Sequence, residues 1–394
     1  MEGTSEKEPK LSEKQLHNWR LVETFREVVE KVFSRATLPA TLEDPRRKLG
    51  YGPYLSLFLL GLSNPVVTSM RSLCAASHLE RVQRTIGGGS VSAGSFSEMQ
   101  AVLDPELLHE VFEHLAARAP ASAPVDTRLK DLNLLAQDGS LWRALPRMTW
   151  AEYGVGPDGE AKGVRLHLRF HLVRGVPWAA RVERGKNCER QALRAMLVAG
   201  QTSVGDRYYG EDYGLFADVE QAQAFFVFRI KDSAVIHEEE TLAISPADKE
   251  AGVVRHAWVR LGAHPAKRSI RVRLVEIRTA TQHILLVTNL PVENNPAELI
   301  GLMYRRRWQI ELFFRWIKCI LGNRHLLAES LQGVTIQIYL ALIAALLFQL
   351  YTGQRPTKRQ MEAIQFFLMG WATKNELATL LKRGAAKTKI APRP

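Results

Sequence analysis

The sequence predicts a mixed α/β fold with a helical N-terminal region. Three observations predict it. Apolar residues recur at helical spacing up to about residue 118, and strand alternation takes over after an Ala/Pro-rich stretch. "VRLHLRFHLV" alternates strictly: Val164, Leu166, Leu168, Phe170 and Leu172 fall on one side, Arg165, His167, Arg169 and His171 on the other. "ILLVTNL", 284–290, is a continuous apolar run that fits a buried strand, and a long helical pattern follows it.

The elements follow in order. "WRLVETFREVVEKVFSRA", "SLFLLGL", "SMRSLCAASHLERVQ" and "PELLHEVFEHLAARA" read as helices separated by Pro and Gly. Ser95 and Glu98 in "SFSEMQAVL" have capping-box spacing and predict a helix start. "IGGGSVSAGS" reads as a loop; without a following Gly-Lys-Ser/Thr it is no phosphate loop. These basic helices form either a helix-turn-helix DNA-binding unit or a plain bundle. "APASAPVD", 119–126, reads as a linker. "LKDLNLLAQDGS" is a strand with Leu132, Leu134, Ala136 and Asp138 on one face and Gly139 at its end. "VPWAARVE" is the return strand of "VRLHLRFHLV", "ERQALRAMLVA" a helix, and "TSVGD" a short strand ending at Asp206. "AQAFFVFRIK", "VVRHAWVRL" and "IRVRLVEIR" are further strands. "NPAELIGLMYRRRWQIELFFRWIKCIL" is a long helix with Pro296 near its first turn. "IQIYLALIAALLFQL", 336–350, carries Gln337 and Gln349 and falls short of a membrane span of roughly 20 residues. It reads as a buried core helix, so no membrane is expected.

The chain has 394 residues, room for two or three domains. Its 53 Lys and Arg against 41 Asp and Glu give a net charge of +12, which favours a polyanionic partner through counterion release. Charge alone does not separate DNA from RNA or anionic lipid. Cys74, Cys188 and Cys319 are odd in number and widely spaced. That suits a reducing, cytoplasmic setting and speaks against a zinc site. The polar start "MEGTSEKEPKLSEK" has no apolar signal core.

Chemistry concentrates on the long helix. At about 100° per residue, Tyr304, Arg307, Glu311 and Lys318 fall within an arc of roughly 60°. A carboxylate flanked by a phenol, a guanidinium and an ammonium suits a metal ion beside phosphate oxygens. Equally, Arg307 and Glu311 make an ordinary i, i+4 ion pair. Asp138 and Asp206, each beside a glycine at a strand end, can converge at one sheet edge with Glu311. Three such carboxylates repel unless cations neutralise them. Two Mg²⁺ ions are the natural occupants, and ions about 4 Å apart serve phosphoryl transfer. His167 and His171 share a strand face but lack a third ligand, so solvent-facing side chains are expected. Trp308 and Trp316 suit core packing better than base stacking, Trp258 lies where stacking is more plausible, and His325 suits a structural role.

With these residues the chain resembles the DDE transposases of bacterial insertion sequences, in the branch with a Y-x2-R-x3-E-x6-K signature. Tyr304, Arg307, Glu311 and Lys318 meet every spacing, and "LLVTNLP", "LAQDGS" and "GDRYYG" extend the likeness over about residues 130–350. The resemblance implies a ribonuclease-H-like mixed sheet with flanking helices and a β-rich insertion before the last catalytic helix. It implies Asp138, Asp206 and Glu311 as the metal-binding triad for two Mg²⁺ ions, with Mn²⁺ able to substitute. Tyr304, Arg307 and Lys318 would grip DNA phosphates. The implied reaction is cleavage at transposon ends followed by 3′-OH attack on target DNA, by a homodimer pairing two terminal inverted repeats. A silent, transposase-derived DNA-binding protein and a ribonuclease-H-like nuclease are the alternatives. One departure stands out: Asp206 is followed by Arg207, Tyr208, Tyr209 and Gly210 rather than by an early Gly-Tyr pair, which leaves Asp212 as a stand-in. The expected organisation is a helical, DNA-binding region at 1–125, catalytic segments at 126–232 and 283–352, the insertion at 233–282, and a basic helical tail at 353–394.

Overall fold

In the computed structural model, residues 20–35, 48–119 and 126–380 are described, apart from 63, 65, 68, 131, 146, 157–158, 265–268, 281, 322–325, 353–354, 369–370, 374 and 378. The chain divides into two compact units. One draws on 1–120, 142–164 and 314–394, the other on 121–141 and 165–313.

The first unit is mainly helical. Helix α1 (Arg20–Phe33) buries Phe25, Val28, Val29 and Phe33 along one stripe. Helix α2 (Tyr51–Leu62) is apolar on nearly every side, so it runs through the core, where Tyr54, Phe58 and Phe96 meet ring to ring. Short helices α3 (Met70–Ala76) and α4 (Glu80–Ile86) follow. Ser69 and Ser72 close a reciprocal capping box on α3. Helix α5 (Ala93–Val102) starts earlier than the Ser95/Glu98 spacing predicts. Ser92 is its cap and accepts from the Ser95 N–H, which places Ser95 inside the first turn. Helix α6 (Pro105–Arg118) opens on the Asp104 cap with Pro105 at the first position.

The long apolar helix α13 (Leu331–Thr352) packs against α6, α2, α5 and α1. Its 20-residue apolar stretch is long enough to cross a membrane, yet 83% of it is buried inside the protein. It is a core helix, as its two glutamines suggest. Helix α14 (Lys358–Leu368) follows, and the basic stretch after 380 lies outside the described residues. Strand β2 (Glu152–Gly156) pairs antiparallel with the start of β3 (Gly159–His171), Glu152 opposite Lys162.

The second unit is built on a mixed sheet. Strand β4 (Val176–Arg184) pairs with β3, and the order then runs β3, β1 (Leu134–Arg143), β5 (Thr202–Gly205), β6 (Phe225–Arg229), β10 (His283–Thr288), β9 (Val272–Arg278), β8 (Val253–Leu261), β7 (Ile236–Thr241). β1, β5 and β6 are mutually parallel, and β6 to β7 are joined by antiparallel pairings. Short helices α7 (Glu189–Ala195), α8 (Arg207–Gly210), α9 (Tyr213–Gln221) and α10 (Pro246–Glu250) lie in the connections. Phe216, Phe226 and Phe228 stack at the centre of the core, with Leu193, Val259, Leu274 and Val287 around them. This is the mixed sheet with flanking helices that a ribonuclease-H-like fold requires. The β-rich insertion is present as β7, β8 and β9, and it extends the same sheet through β10.

Edge strand β7 carries Glu238, Glu239 and Glu240. They pair with Arg255 and Arg260 of β8 and with Arg271 just before β9, so the edge is charged rather than adhesive.

The long helix of the sequence reading is broken. Helix α11 (Ala297–Arg306) ends at Arg307, α12 (Trp308–Arg315) restarts the coil, and Trp316–Ile320 forms a π-helical turn.

Candidate active site

The two aspartates are brought together by strand register. β1 and β5 are parallel, with Leu134 opposite Thr202 and Ala136 opposite Val204. Two residues further in the same register, Asp138 stands beside Asp206, on the same face because side chains alternate. The charge of Asp206 is felt at Asp138, which places the two carboxylates near each other at the carboxyl end of β5.

Asp206 is the N-cap of α8, and its Oδ1 accepts from the Tyr208 N–H at 2.9 Å. Asp138 is not at a strand end, because β1 continues to Arg143. Its Oδ1 accepts from the Gly139 N–H at 2.8 Å. Burial pushes the Asp138 carboxyl up to about 7; the Gly139 N–H opposes this, the charges of Glu189 and Asp206 add to it, and Arg307 counters it.

Glu311 enters through Arg307. The Arg307 guanidinium donates to Glu311 Oε1 at 2.5 Å and lies over the Tyr304 ring at 5.8 Å. It also feels the charge of Asp138. So Asp138, Asp206, Arg307, Glu311 and Tyr304 occupy one region of the second unit. The ordinary i, i+4 ion pair is formed, and its arginine is at the same time close to Asp138. Among the described residues, no group of three or more His, Cys, Asp or Glu side chains is gathered to hold a metal ion. Lys318 lies past the helix break, within the π turn, and belongs to the first unit. There its ammonium sits 4.3 Å from the Trp142 ring, and burial lowers its pKa.

Asp212 has other work. It caps α9 through the Leu215 N–H at 3.1 Å and pairs with Arg194 at 2.9 Å. Asp212→Ala is therefore expected to cost about 1 kcal/mol in urea unfolding, as a lost cap does.

Residues 130–347 match the family model described as "Transposase DDE domain". This chain belongs to that transposase family. Asp138, Asp206, Tyr304, Arg307, Glu311 and Lys318 all lie inside the matched segment. The chain is similar to the "Probable transposase for insertion sequence element IS5377" of Geobacillus stearothermophilus, at 31% identity over 56% of each chain. It is also similar to the y4zB protein of Sinorhizobium fredii, named a transposase, at 29% identity over 49% of this chain and 54% of that one. It thus spans about half the length of the curated relatives it matches. The solved synaptic complex of piggyBac transposase with hairpin DNA aligns at 11% identity and a TM-score of 0.40, over 99% of this chain and 85% of that one.

Several features of this DDE transposase were not legible beforehand. His167 and His171 do not face solvent: they are 2% and 7% exposed. The reason is Arg169 between them, which is buried and donates to the Met196 carbonyl, Gln201 Oε1 and Ser203 Oγ. That face of β3 is covered just as the apolar face is. Burial, then the charge of Arg174, lowers the His171 pKa to about 4. Between about 4 and the unfolded value of about 6.5 the unfolded chain binds the extra proton, so stability falls as pH drops through that window. The pKa of His167, on the same covered face, is lowered to about 4 as well, so His171 is read by difference. The change in stability between pH 7 and pH 5 in urea unfolding is expected to differ between wild type and His171→Asn by on the order of 2 kcal/mol, with the wild type losing more.

Trp316 is buried as predicted and donates to the Pro356 carbonyl, but Trp308 is half exposed. The break at Arg307 precedes it and turns it outward. Trp258 lies under the Arg271 guanidinium at 4.8 Å. His325 lies outside the described residues.

A further carboxylate was missed altogether. Glu189, the first residue of α7, pairs with Arg165 and accepts from the Tyr209 hydroxyl at 3.4 Å. A Cβ on Gly139 would come within 2.4 Å of its Oε1. Gly139 is thus a point of close approach rather than a strand end, and a glycine directly after Asp138 is the signal that could have pointed there.

Proposed function

We propose that this chain is a DNA transposase that cleaves at the ends of an insertion sequence and joins the freed 3′-OH to target DNA. The observation that carries the reading is the register that sets Asp138 beside Asp206, with Arg307 facing both Asp138 and the carboxylate of Glu311. These are hard oxygen donors with a surplus of negative charge at a half-buried position, which fits Mg²⁺ or Mn²⁺. Asp138 and Asp206 would hold the metal, with Glu311 joining them once Arg307 turns from it to a phosphate. When bound, two such ions activate the attacking oxygen and stabilise the leaving one.

The chain's own residues supply positioning. The Asp206 cap fixes one carboxylate to α8, and the Gly139 N–H orients the other. Tyr304 stacks against Arg307 and keeps its guanidinium at the site, where it matches phosphate oxygens in a forked geometry. The branch signature implies a phosphate-contact role for Lys318 as well. Two copies would pair two terminal inverted repeats.

The test is incubation with the terminal DNA of its own element and Mg²⁺. Cleavage lost in Asp138→Ala and Glu311→Ala, with strand transfer by the intact protein, is the expected result. Cleavage that persists in both variants overturns the assignment.

One observation favours a second reading. Glu311 is engaged by Arg307 and no three carboxylates are gathered among the described residues. A silent DNA-binding descendant would look the same, and it would bind the ends without cutting them under any divalent cation. A nuclease of this fold would cut without joining.

A further inference from the structure

We infer that Glu189 is a positioning residue of the cation centre formed by Asp138 and Asp206, a step that rests on the metal-dependent reading above. Three independent features place it there. Arg165 of β3 pairs with its carboxylate. The Tyr209 hydroxyl, from the turn that follows Asp206, reaches it from another side. Gly139, the residue after Asp138, leaves the space that its Oε1 occupies.

An ion pair that only pinned α7 to β3 would need no such opening in β1. Here the carboxylate is held against the strand that carries Asp138, and its charge adds to those of Asp138 and Asp206 rather than opposing them. Arg165 and Arg307 are the guanidinia that face these carboxylates, and Arg307 is shared with Glu311. The balance is negative, which draws a divalent cation to the aspartates. Glu189 would then strengthen the hold of the two aspartates on that cation from outside them, the part that outer carboxylates play at metal centres. Tyr209 adds a mechanical link. Its ring is buried and packs against Phe228, while a Cβ on Gly205 would strike it at 2.8 Å. The strand holding Asp206 and the carboxylate of Glu189 are therefore fixed to one another.

The experiment titrates the full chain with Mn²⁺ alone, without DNA, and follows binding by calorimetry. Glu189→Gln is expected to weaken Mn²⁺ binding by about 10-fold or more, the usual effect of losing an outer partner. Binding to terminal DNA in the presence of a chelator should stay unchanged. Glu189→Asp keeps the charge and the Arg165 partner but retracts the carboxylate by one methylene, so an intermediate loss is expected. That variant decides the matter if the glutamine variant does not fold. A purely structural role predicts a lower melting temperature without metal and unchanged Mn²⁺ affinity, and that result overturns the inference. Asp138→Asn run alongside separates the two levels. If it too leaves Mn²⁺ affinity unchanged, the cation centre itself is wrong. If it abolishes binding while both Glu189 variants bind like wild type, only the role of Glu189 falls.

Discussion

Asp138→Asn and Asp206→Asn are expected to lower metal-dependent end cleavage by about 10³-fold or more, roughly 4 kcal/mol of barrier, with end binding in a chelator within about threefold. The change is isosteric, so the register of β1 with β5 and the Asp206 cap should survive; Asn is itself a good cap. What is lost is a charged oxygen donor. Because Asp138 sits beside Asp206 and Glu189, neutralising it removes like-charge repulsion. The melting temperature of metal-free Asp138→Asn should therefore not fall. A gel assay for cleavage and a thermal melt in chelator check the two halves. A variant that loses cleavage only because it unfolds would fail the second half, and the assignment with it.

Gly210→Ala carries the largest expected effect on stability. A Cβ there would lie 2.0 Å from the Arg229 carbonyl oxygen and 3.2 Å from the Ile230 side chain. The carbonyl cannot retreat, because β6 is held between β5 and β10, with Arg229 paired to Leu286. Overpacking of this kind costs about 1–3 kcal/mol, and a backbone clash belongs at the upper end. A fall in melting temperature of roughly 2–4 °C follows for a chain of this size. Activity should suffer too, because the Gly210 N–H donates to the Asp206 carbonyl, so a displaced Gly210 pulls on that residue. Gly89→Ala is the control: nothing lies within 4 Å of its Cβ. A Gly210→Ala protein that melts within about 1 °C of wild type, on the same scale of overpacking costs, would show that α8 is not clamped to β6.

Both predictions start from residues that local pattern made visible, and both depend on pairings it did not. Alternation around Leu134 identifies one strand and "TSVGD" reads as another, and a neighbouring glycine marks Asp138 and Asp206. Which residue of one strand faces which of the other is a long-range matter, set by β5 lying between β1 and β6. The signature helix shows the same division. The spacing of Tyr304, Arg307 and Glu311 puts them on one face, and they do touch in sequence along it. The break at Arg307 and the π turn that holds Lys318 have no marker such as proline or glycine, so regular helical spacing ran through them.

Local sequence by itself determined the order of elements, the core helix with its two glutamines, the β-rich insertion and the identity of the signature residues. Periodicity and fixed offsets are properties of neighbouring residues, and neighbours suffice to read them. Tertiary structure alone decided that both faces of β3 are covered, so that His167, Arg169 and His171 are buried. It alone turned Trp308 outward and brought Glu189 to Asp138 across the space left by Gly139. Each of these depends on what packs against a residue from a distant part of the chain, and burial, unlike periodicity, leaves no trace in the residues on either side.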